Sequence, residues 1–451
     1  MGNCRRNIRP RKLSPVRLGR VLTMRQIRFL QRGGGTGGIS CPACIVAVAL
    51  LLVNAVPVLA QGATTVSDGL TLRQTLSRLT AVTGSPAAAE AMALTTSLEV
   101  TTGPYGTSSG GFVFKLDPAT GLQARTATTF GPSFAERALT LGEGKVSVAA
   151  NLVANSYSRL GDLSTDRMKL SSSTATTPEL TRTGTTSLAM SSTTLVVSGM
   201  VGVTDKLDMG VAVPMVKVKI DGLSWVQTAN VGVTGQPEVI LLANGSGIAS
   251  GLGDVAASAK YRFYSFGEGT PDPGGLAVMA TVRLPTGDVE NFRGLGITRT
   301  LVSFIASSGT GRLRPHVNAG YEWWSDGIKV QTDFAANPTF VVARDQLQWA
   351  AGAEFEAVPK LTLLVDLLGR RVRGAGQVGY RTDAQPPNRF GVTSIESMVA
   401  LPDGVQKILL VPGMKVNVKG SMLFSLNVLT ALKDNGLHAR VTPVASVDLT
   451  F

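Results

Sequence analysis

The sequence predicts an all-β fold, a transmembrane antiparallel β-barrel of about 12 strands (roughly 10–14) with an N-terminal signal peptide. Three observations support this prediction. Apolar and polar residues alternate in short segments from about residue 145 onward, the chain begins with a basic leader and a short apolar run, and residues 61–451 contain no cysteine. A sheet in lipid must close on itself, because an open edge leaves backbone groups unpaired.

Residues 1–60 are interpreted as a basic leader and signal peptide. They contain ten Arg or Lys residues and no acidic residue, followed by the apolar run 45–53 and the small residues 58–60. This order is typical of a secretory signal. The run is short for a transmembrane helix, which needs about 20 residues. A retained anchor is the alternative, and a start at Met24 would leave a leader of more ordinary length.

The net charge of +13 resides mainly in the leader, so the rest of the chain is close to neutral. No electrostatic argument for a nucleic-acid partner therefore remains. All three cysteines, Cys4, Cys41 and Cys44, also lie in the leader. An exported chain without disulfides needs another source of stability, such as a large core or a membrane.

Residues 141–451 are predicted to form the barrel. Gly, Asp, Asn and Pro separate the alternating segments, and short and long connections are mixed, as in outer-membrane barrels. The last segment ends on the apolar Phe451 without a tail, so we expect it to be the strand that closes the ring. Alternation is clearest in residues 216–220, 259–263, 313–323, 349–357, 416–428 and 441–451.

The polar side of these segments carries charges, which predicts a water-filled lumen. The alternative is the solvated outer face of a soluble sandwich. The candidate lumen-lining residues are Lys217, Lys219, Lys260, Arg262, Arg283, Arg312, Arg314, His316, Glu322, Glu354, Glu356, Asp366, Lys415 and Lys419.

Residues 61–140 differ from the barrel in pattern. Helical spacing in residues 70–79, and Ser85 followed by Pro86 before an Ala-rich run, predict two short helices. We expect this region to lie outside the barrel wall or to plug it. We interpret two further segments as loops. Residues 171–193 are rich in Ser and Thr, and residues 381–404 are rich in Pro, Gly and polar residues.

Motifs that suggest catalysis lack the required context. Ser108 lies in a GxSxG pattern without the strand and helix of a nucleophile elbow. Of the two histidines, His316 falls on the charged face, and no Cys, His or carboxylate cluster has metal-ligand spacing. The sequence therefore predicts neither an enzyme nor a cofactor.

Several blocks occur in the order expected for one family. Residues 130–148 ("FGPSFAERALTLGEGKVSV"), 251–263, 282–288, 315–323 and 427–437 resemble an outer-membrane barrel family labelled "Putative MetA-pathway of phenol degradation". Such barrels are distantly similar to hydrophobic-compound channels of the fatty-acid-transporter type. The resemblance implies a location in the bacterial outer membrane, and Phe451 resembles an outer-membrane assembly signal.

The resulting hypothesis is an outer-membrane channel or transporter for small, hydrophobic or aromatic solutes, with membrane lipid and the solute as partners. A soluble exported all-β binding protein is one alternative. A barrel hydrolase using Ser108 or His316 is another. The identity of the solute, an open or plugged pore, and the oligomeric state stay open at this point.

Overall fold

The computed structural model describes residues 65–66, 69–104, 106, 111–112, 114–116, 123–125, 129–176, 181–229, 238–266, 274–308, 311–332, 338–384 and 391–451. The predicted leader, residues 1–60, and Ser108 lie outside the described residues.

Twelve antiparallel strands within the described residues form a closed barrel, which confirms the predicted fold class. Each strand pairs with the next, and the last pairs with the first. The N–H of Phe451 donates to the carbonyl of Val146 at 2.8 Å, and the N–H of Val146 donates back at 3.1 Å. The strands are β1 Val146–Tyr157, β2 Arg182–Thr204, β3 Leu207–Thr228, β4 Ala256–Ser265, β5 Gly275–Arg283, β6 Arg299–Ser307, β7 Leu313–Trp324, β8 Phe340–Val358, β9 Leu361–Ala384, β10 Val392–Lys419, β11 Met422–Asp434 and β12 Val441–Thr450.

Two-residue turns occur at one end of the barrel, which also carries the connections 266–274 and 308–312, and the longest connections lie at the other end. Two residues join β2 to β3, β8 to β9 and β10 to β11 at the end that also carries the start of β1 and the end of β12. The opposite end carries the long connections 158–181, 284–298 and 325–339. Outer-membrane barrels have this asymmetry, with the short turns on the periplasmic side. We call the two ends the turn end and the loop end.

The outer surface of the barrel is apolar. In β12, Val441 is 50% exposed and the terminal Phe451 is 64% exposed, whereas Thr442 and Thr450 point inward and are buried. The same alternation exposes Val148, Val211, Phe304, Val317, Leu347, Phe355, Leu363, Val365, Leu426 and Val428. No second sheet among the described residues covers these side chains, unlike in a sandwich. Hydrocarbon is the solvent that suits this surface, as the predicted outer-membrane location requires.

Two of the expected loops are largely strands. Residues 168–175 and β2 replace the loop predicted over 171–193, and β9 and β10 occupy most of 381–404. Ser and Thr suit a strand whose two faces are both polar, and the upper parts of β2, β9 and β10 extend beyond the apolar band. The strand 168–175 pairs with β2 and β10 there, so it extends the barrel sheet beyond the ring of twelve strands.

The segment 416–428 is two strands and not one. A two-residue turn at Gly420 and Ser421 joins β10 to β11. Gly420 has a φ of +54°, a conformation that favours glycine. The register shifts by one residue between Asn417 and Lys419, so the paired positions beyond it, such as Asn417 and Leu423, lie an even number of residues apart and the side chains keep their parity across the turn. The alternation therefore continues unbroken although the chain reverses.

Shorter strands complete the β-structure. The strand 238–252 pairs with β3 beyond the part of β3 that pairs with β4. Thr65–Val66 pairs with the other edge of the strand 238–252. The others are Phe114–Leu116, Gln123–Arg125, Arg159–Leu160, Leu163–Ser164, Ile328–Gln331 and Leu437–His438.

Two helices lie where helical spacing predicts them, α1 at Leu72–Ala81 and α2 at Pro86–Thr101. Thr71 caps α1 through a capping box with Gln74. Leu72, Leu76 and Leu79 of α1 belong to a core cluster with inward-facing apolar residues of β3. In α2 nearly all side chains are buried, as expected for a helix packed on all sides. Neither helix is long and apolar enough to span a membrane.

Candidate functional site: the barrel interior

Residues 129–142, which we call the floor segment, cross the barrel interior near the turn end. Their backbone N–H groups donate to inward-facing side chains of β3, β6, β7, β8 and β9, so the segment is attached to widely separated parts of the wall. The bonds run from Phe130 to Thr362 (3.2 Å), Gly131 to Glu354 (3.0 Å), Glu136 to Asn318 (2.8 Å), Ala138 to Ser307 (3.0 Å) and Leu141 to Asp208 (3.1 Å).

The sequence of the floor segment explains why the wall is polar there. An irregular segment cannot pair its own backbone groups, and buried N–H groups need acceptors. The wall supplies carboxylates, an amide and hydroxyls for this purpose. Lys415 adds a donor, since its ammonium bonds to the carbonyl of Pro132 at 2.7 Å. Several charged residues of the inner wall thus bind protein backbone in this structure.

Helix α2 is attached to the wall by Glu99, near its C-terminal end. The carboxylate of Glu99 lies 2.6 Å from Arg370 of β9 and 2.5 Å from Lys407 of β10. Arg370 and Lys407 are directly opposite each other in the sheet. Two like charges at paired positions repel, and Glu99 neutralises them, together with Asp434, which lies 3.0 Å from Lys407.

A chamber of about 220 Å³ lies between the C-terminal end of α2 and the floor segment. Glu99 and Thr102 line the chamber on the side of α2, and Phe134 and Glu136 line it on the side of the floor segment. The wall around it is built mainly from small side chains, which leave the space open: Ser147, Ala149, Ser198, Gly210, Ala212, Ala256, Ser258, Ser303, Gly320, Ala350 and Gly369. Met279, Leu301, Ile305, Leu368 and Leu409 add apolar surface.

Nine of the candidate lumen residues lie on inward-facing positions of their strands. Seven of them are buried, namely Lys260, Arg314, His316, Glu322, Glu354, Asp366 and Lys415. Arg262 and Arg283 are partly buried.

These inward charges are paired with one another. Lys260 lies 3.6 Å from Asp208 and 3.7 Å from Glu136. His316 lies 2.8 Å from Asp366 and 3.9 Å from Glu354. The inner surface near the turn end therefore offers few uncompensated charges to a solute.

The other five candidates lie elsewhere. Lys217 and Lys219 are on the outer face of β3, which corrects their assignment to the lumen. The inward positions between and beside them are Val216, Val218 and Ile220, which pack against α1. At this height the interior is filled by a helix, so the apolar face turns inward. Arg312, Glu356 and Lys419 lie at the turn end, next to the hairpin turns.

An arginine that the sequence analysis missed connects two of the candidates. Arg299 is fully buried and lies 3.7 Å from Glu322 and 3.2 Å from Asp254. Glu322 also pairs with Arg283, the direct cross-strand partner of Arg299. The alternation Arg299, Leu301, Ser303 could have revealed an inward face. Trp324 is buried inside the barrel and donates to Glu322 at 2.9 Å.

The loop 284–298 connects the wall to α1. The side chain of Asn291 accepts from the N–H of Leu72 at 3.1 Å, and Phe292 is fully buried in the α1 cluster. Burial disfavours the carboxylate of Asp288, but hydrogen bonds from Asn291 and Arg293 outweigh it and lower the pKa of Asp288. Asp288 thus stays ionised and holds the loop in this shape. Within the described ranges, no group of three or more His, Cys, Asp or Glu side chains could hold a metal ion.

Comparisons with solved structures find barrels. An outer membrane channel from Pseudomonas putida F1 is similar at 12% identity and a TM-score of 0.43, covering 70% of this chain and 98% of that one. The toluene transporter TbuX from Ralstonia pickettii is similar at 14% identity and a TM-score of 0.31, covering 69% and 90%. The P. putida toluene transporter TodX is similar at 9% identity and a TM-score of 0.28, covering 68% and 89%.

Comparison with family models supports the resemblance stated from sequence. No curated protein matches the chain. Residues 165–381 match the model described as "Putative MetA-pathway of phenol degradation". This range includes β2 to β8 and nearly all of β9. The sequence from residue 165 to residue 381 is thus similar to the family described as "Putative MetA-pathway of phenol degradation".

Proposed function

We propose that this protein is an outer-membrane channel or transporter for small hydrophobic or aromatic solutes. The chamber of about 220 Å³ carries the proposal, because it is an internal space with small and apolar walls inside a lipid-embedded barrel. Concave, mostly apolar pockets with a few polar groups are typical of small-molecule sites. The family description, which refers to phenol degradation, agrees with a solute of this kind.

The charges around the chamber favour neutral solutes. Glu99, Arg370 and Lys407 are paired with one another above it, and Lys260 and Glu136 are paired below it. An ion that entered would lose part of its hydration, and these paired charges would offer it little in return. A neutral apolar molecule would gain by leaving water. In this proposal the floor segment and α2 close the two sides of the chamber, and a solute passes when one of them moves.

Filling the chamber tests the proposal. Ala350 lines the chamber, whereas its neighbour Ala351 faces outward on the same strand. We expect Ala350→Phe to reduce the uptake of phenol into liposomes containing the purified protein at least several-fold. Ala351→Phe, the matched control, should leave uptake unchanged because its ring enters lipid. Equal uptake by both variants would contradict a route through the chamber.

The hydrolase alternative has less support from the interior. His316 is held between Glu354 and Asp366 and does not line the chamber. Its contacts with these two carboxylates connect β7 to β8 and β9, which is a structural role in the wall. We infer that the protein acts without catalysis. Hydrolysis of a test ester that is lost in His316→Gln would reverse this inference.

A further inference from the structure

Three exposed arginines form a cluster on the outer face of the barrel towards the loop end. Arg344 of β8 and Arg373 of β9 are direct cross-strand partners. Arg371 lies two residues from Arg373 on the same face of β9. All three side chains are exposed. We call Arg344, Arg371 and Arg373 the arginine cluster.

The arginine cluster lacks an acidic partner. Like charges at directly opposed positions destabilise a sheet unless an anion lies between them. Within the described part of the chain, Arg344 and Arg371 have no ion-pair or hydrogen-bond partner for their side chains, and Arg373 donates only to the neutral hydroxyl of Tyr321, at 2.8 Å.

The one acid within the cluster is already engaged. Asp345 follows Arg344 in β8 and adopts a φ of +47°, at an irregularity in the strand. Its carboxylate accepts from the hydroxyl of Tyr321 at 2.9 Å and from the backbone N–H of Trp324 at 3.0 Å. The irregularity lets Arg344 face outward while Ala343 stays buried. Asp345 therefore shapes the site and leaves it positively charged.

The height of the cluster on the barrel identifies its surroundings. Below it on the same face of β9, Leu363 and Val365 are exposed and apolar. At about 3.3 Å per residue and a tilt of about 40°, Arg371 stands roughly 25 Å above the start of β9, which is the usual height of the apolar band. Next to the cluster, Tyr321 and Trp323 form an edge-to-face pair with ring centroids 5.0 Å apart, and Trp323 is half exposed. Such aromatics are typical of the membrane interface.

We propose that the arginine cluster binds the phosphate group of a lipid headgroup in the outer leaflet. Guanidinium groups bind phosphate oxygens through paired hydrogen bonds, and three of them from two adjacent strands can surround one phosphate. The apolar face below would receive the acyl chains of the same lipid, since Val365 and Leu347 are exposed there. The site is on the barrel exterior, so it is independent of the transport proposal.

Binding of a phosphorylated lipid to the detergent-solubilised protein tests this site. The probe is bis-phosphorylated lipid A, compared with the same lipid after removal of its phosphates. We expect the triple variant Arg344→Gln, Arg371→Gln, Arg373→Gln to bind the phosphorylated form at least tenfold more weakly. The double variant Lys360→Gln, Lys419→Gln, which removes exposed cations at the turn end of β9 and β10, should bind within twofold of the unchanged protein.

Three outcomes would overturn the proposal. One is equal weakening in the two variants, which would indicate only general attraction to a basic protein. Another is equal affinity for the phosphorylated and dephosphorylated lipids. The third is displacement of the lipid by inorganic phosphate at millimolar concentration, which would indicate a simple anion site. Unchanged heat-modifiable migration of each variant on gels shows that its barrel is folded.

Discussion

Single residues inside the barrel act mainly as electrostatic partners. Arg370 and Lys407 face each other across two strands and would repel without Glu99 of α2. The same arrangement recurs at Arg283 and Arg299, which occupy directly opposed positions in the sheet and both lie close to the carboxylate of Glu322. In each case one acid holds two opposed cations. The position of α2 in the lumen thus depends strongly on one carboxylate.

Replacement of Glu99 tests this dependence. We expect Glu99→Gln to lower the free energy of unfolding by about 3 kcal/mol or more, because a buried ion pair loses one partner. Single-channel conductance should rise, since α2 loses its attachment to β9 and β10. Glu290→Gln is the control: Glu290 is largely exposed and lies 3.8 Å from Arg73, so its loss should cost about 0–1 kcal/mol. Unchanged stability and conductance in Glu99→Gln would show that packing alone holds the helix.

At the scale of elements, the floor segment has no regular structure of its own and is ordered by the wall. Asn318 of β7 binds both backbone groups of Glu136: it accepts from the N–H at 2.8 Å and donates to the carbonyl at 2.9 Å. It thereby replaces the strand partner that this residue lacks. Ordered segments held by side chains open more easily than strands, so the floor segment is the element most suited to move.

The change Asn318→Ala should release the floor segment near Glu136. Loss of the amide leaves two buried backbone groups unpaired, at a cost of about 1–3 kcal/mol. Hydrogen exchange should accelerate in residues 129–142 and not in the neighbouring strands. Ser303→Ala, at the same chamber but without a bond to the floor segment, should leave exchange unchanged. Equal acceleration throughout the barrel would mean that Asn318 stabilises the wall and not the segment.

At the scale of the whole molecule, each barrel strand separates lipid on its outer face from the polar interior on its inner face. The outward positions of β9 near the turn end, such as Leu363 and Val365, and of β11, such as Leu426 and Val428, are apolar, whereas the inward positions include charged and polar groups such as Asp366 and Ser425. The final strand completes this arrangement by pairing with β1 from Val444 to Thr450. Closure leaves the ring without an unpaired edge, which lipid would not tolerate.

Charged substitutions on the outer face should therefore depend on depth. Val365 lies about 10 Å above the turn end on β9, close to the centre of the apolar band, whereas Val418 lies next to the turn at Gly420. We expect Val365→Arg to lower the free energy of unfolding in lipid vesicles by about 2–4 kcal/mol, and Val418→Arg by about 0–1 kcal/mol. Urea titrations measure both. A similar cost at the two depths would be inconsistent with a bilayer around these positions.

The sequence by itself determined which face meets lipid in strands such as β11 and β12, because a side-chain period of two is a local property of each strand. It also determined the closing role of the segment that ends at Phe451. Only the tertiary structure decided what fills the barrel. Because α1 packs on the inner face of β3, apolar residues face inward there, and Lys217 and Lys219 face outward. Near the turn end, Lys260, His316 and Lys415 bind protein groups instead of water. Contacts between residues such as Glu99 and Lys407, which are far apart in sequence, leave no periodic signal.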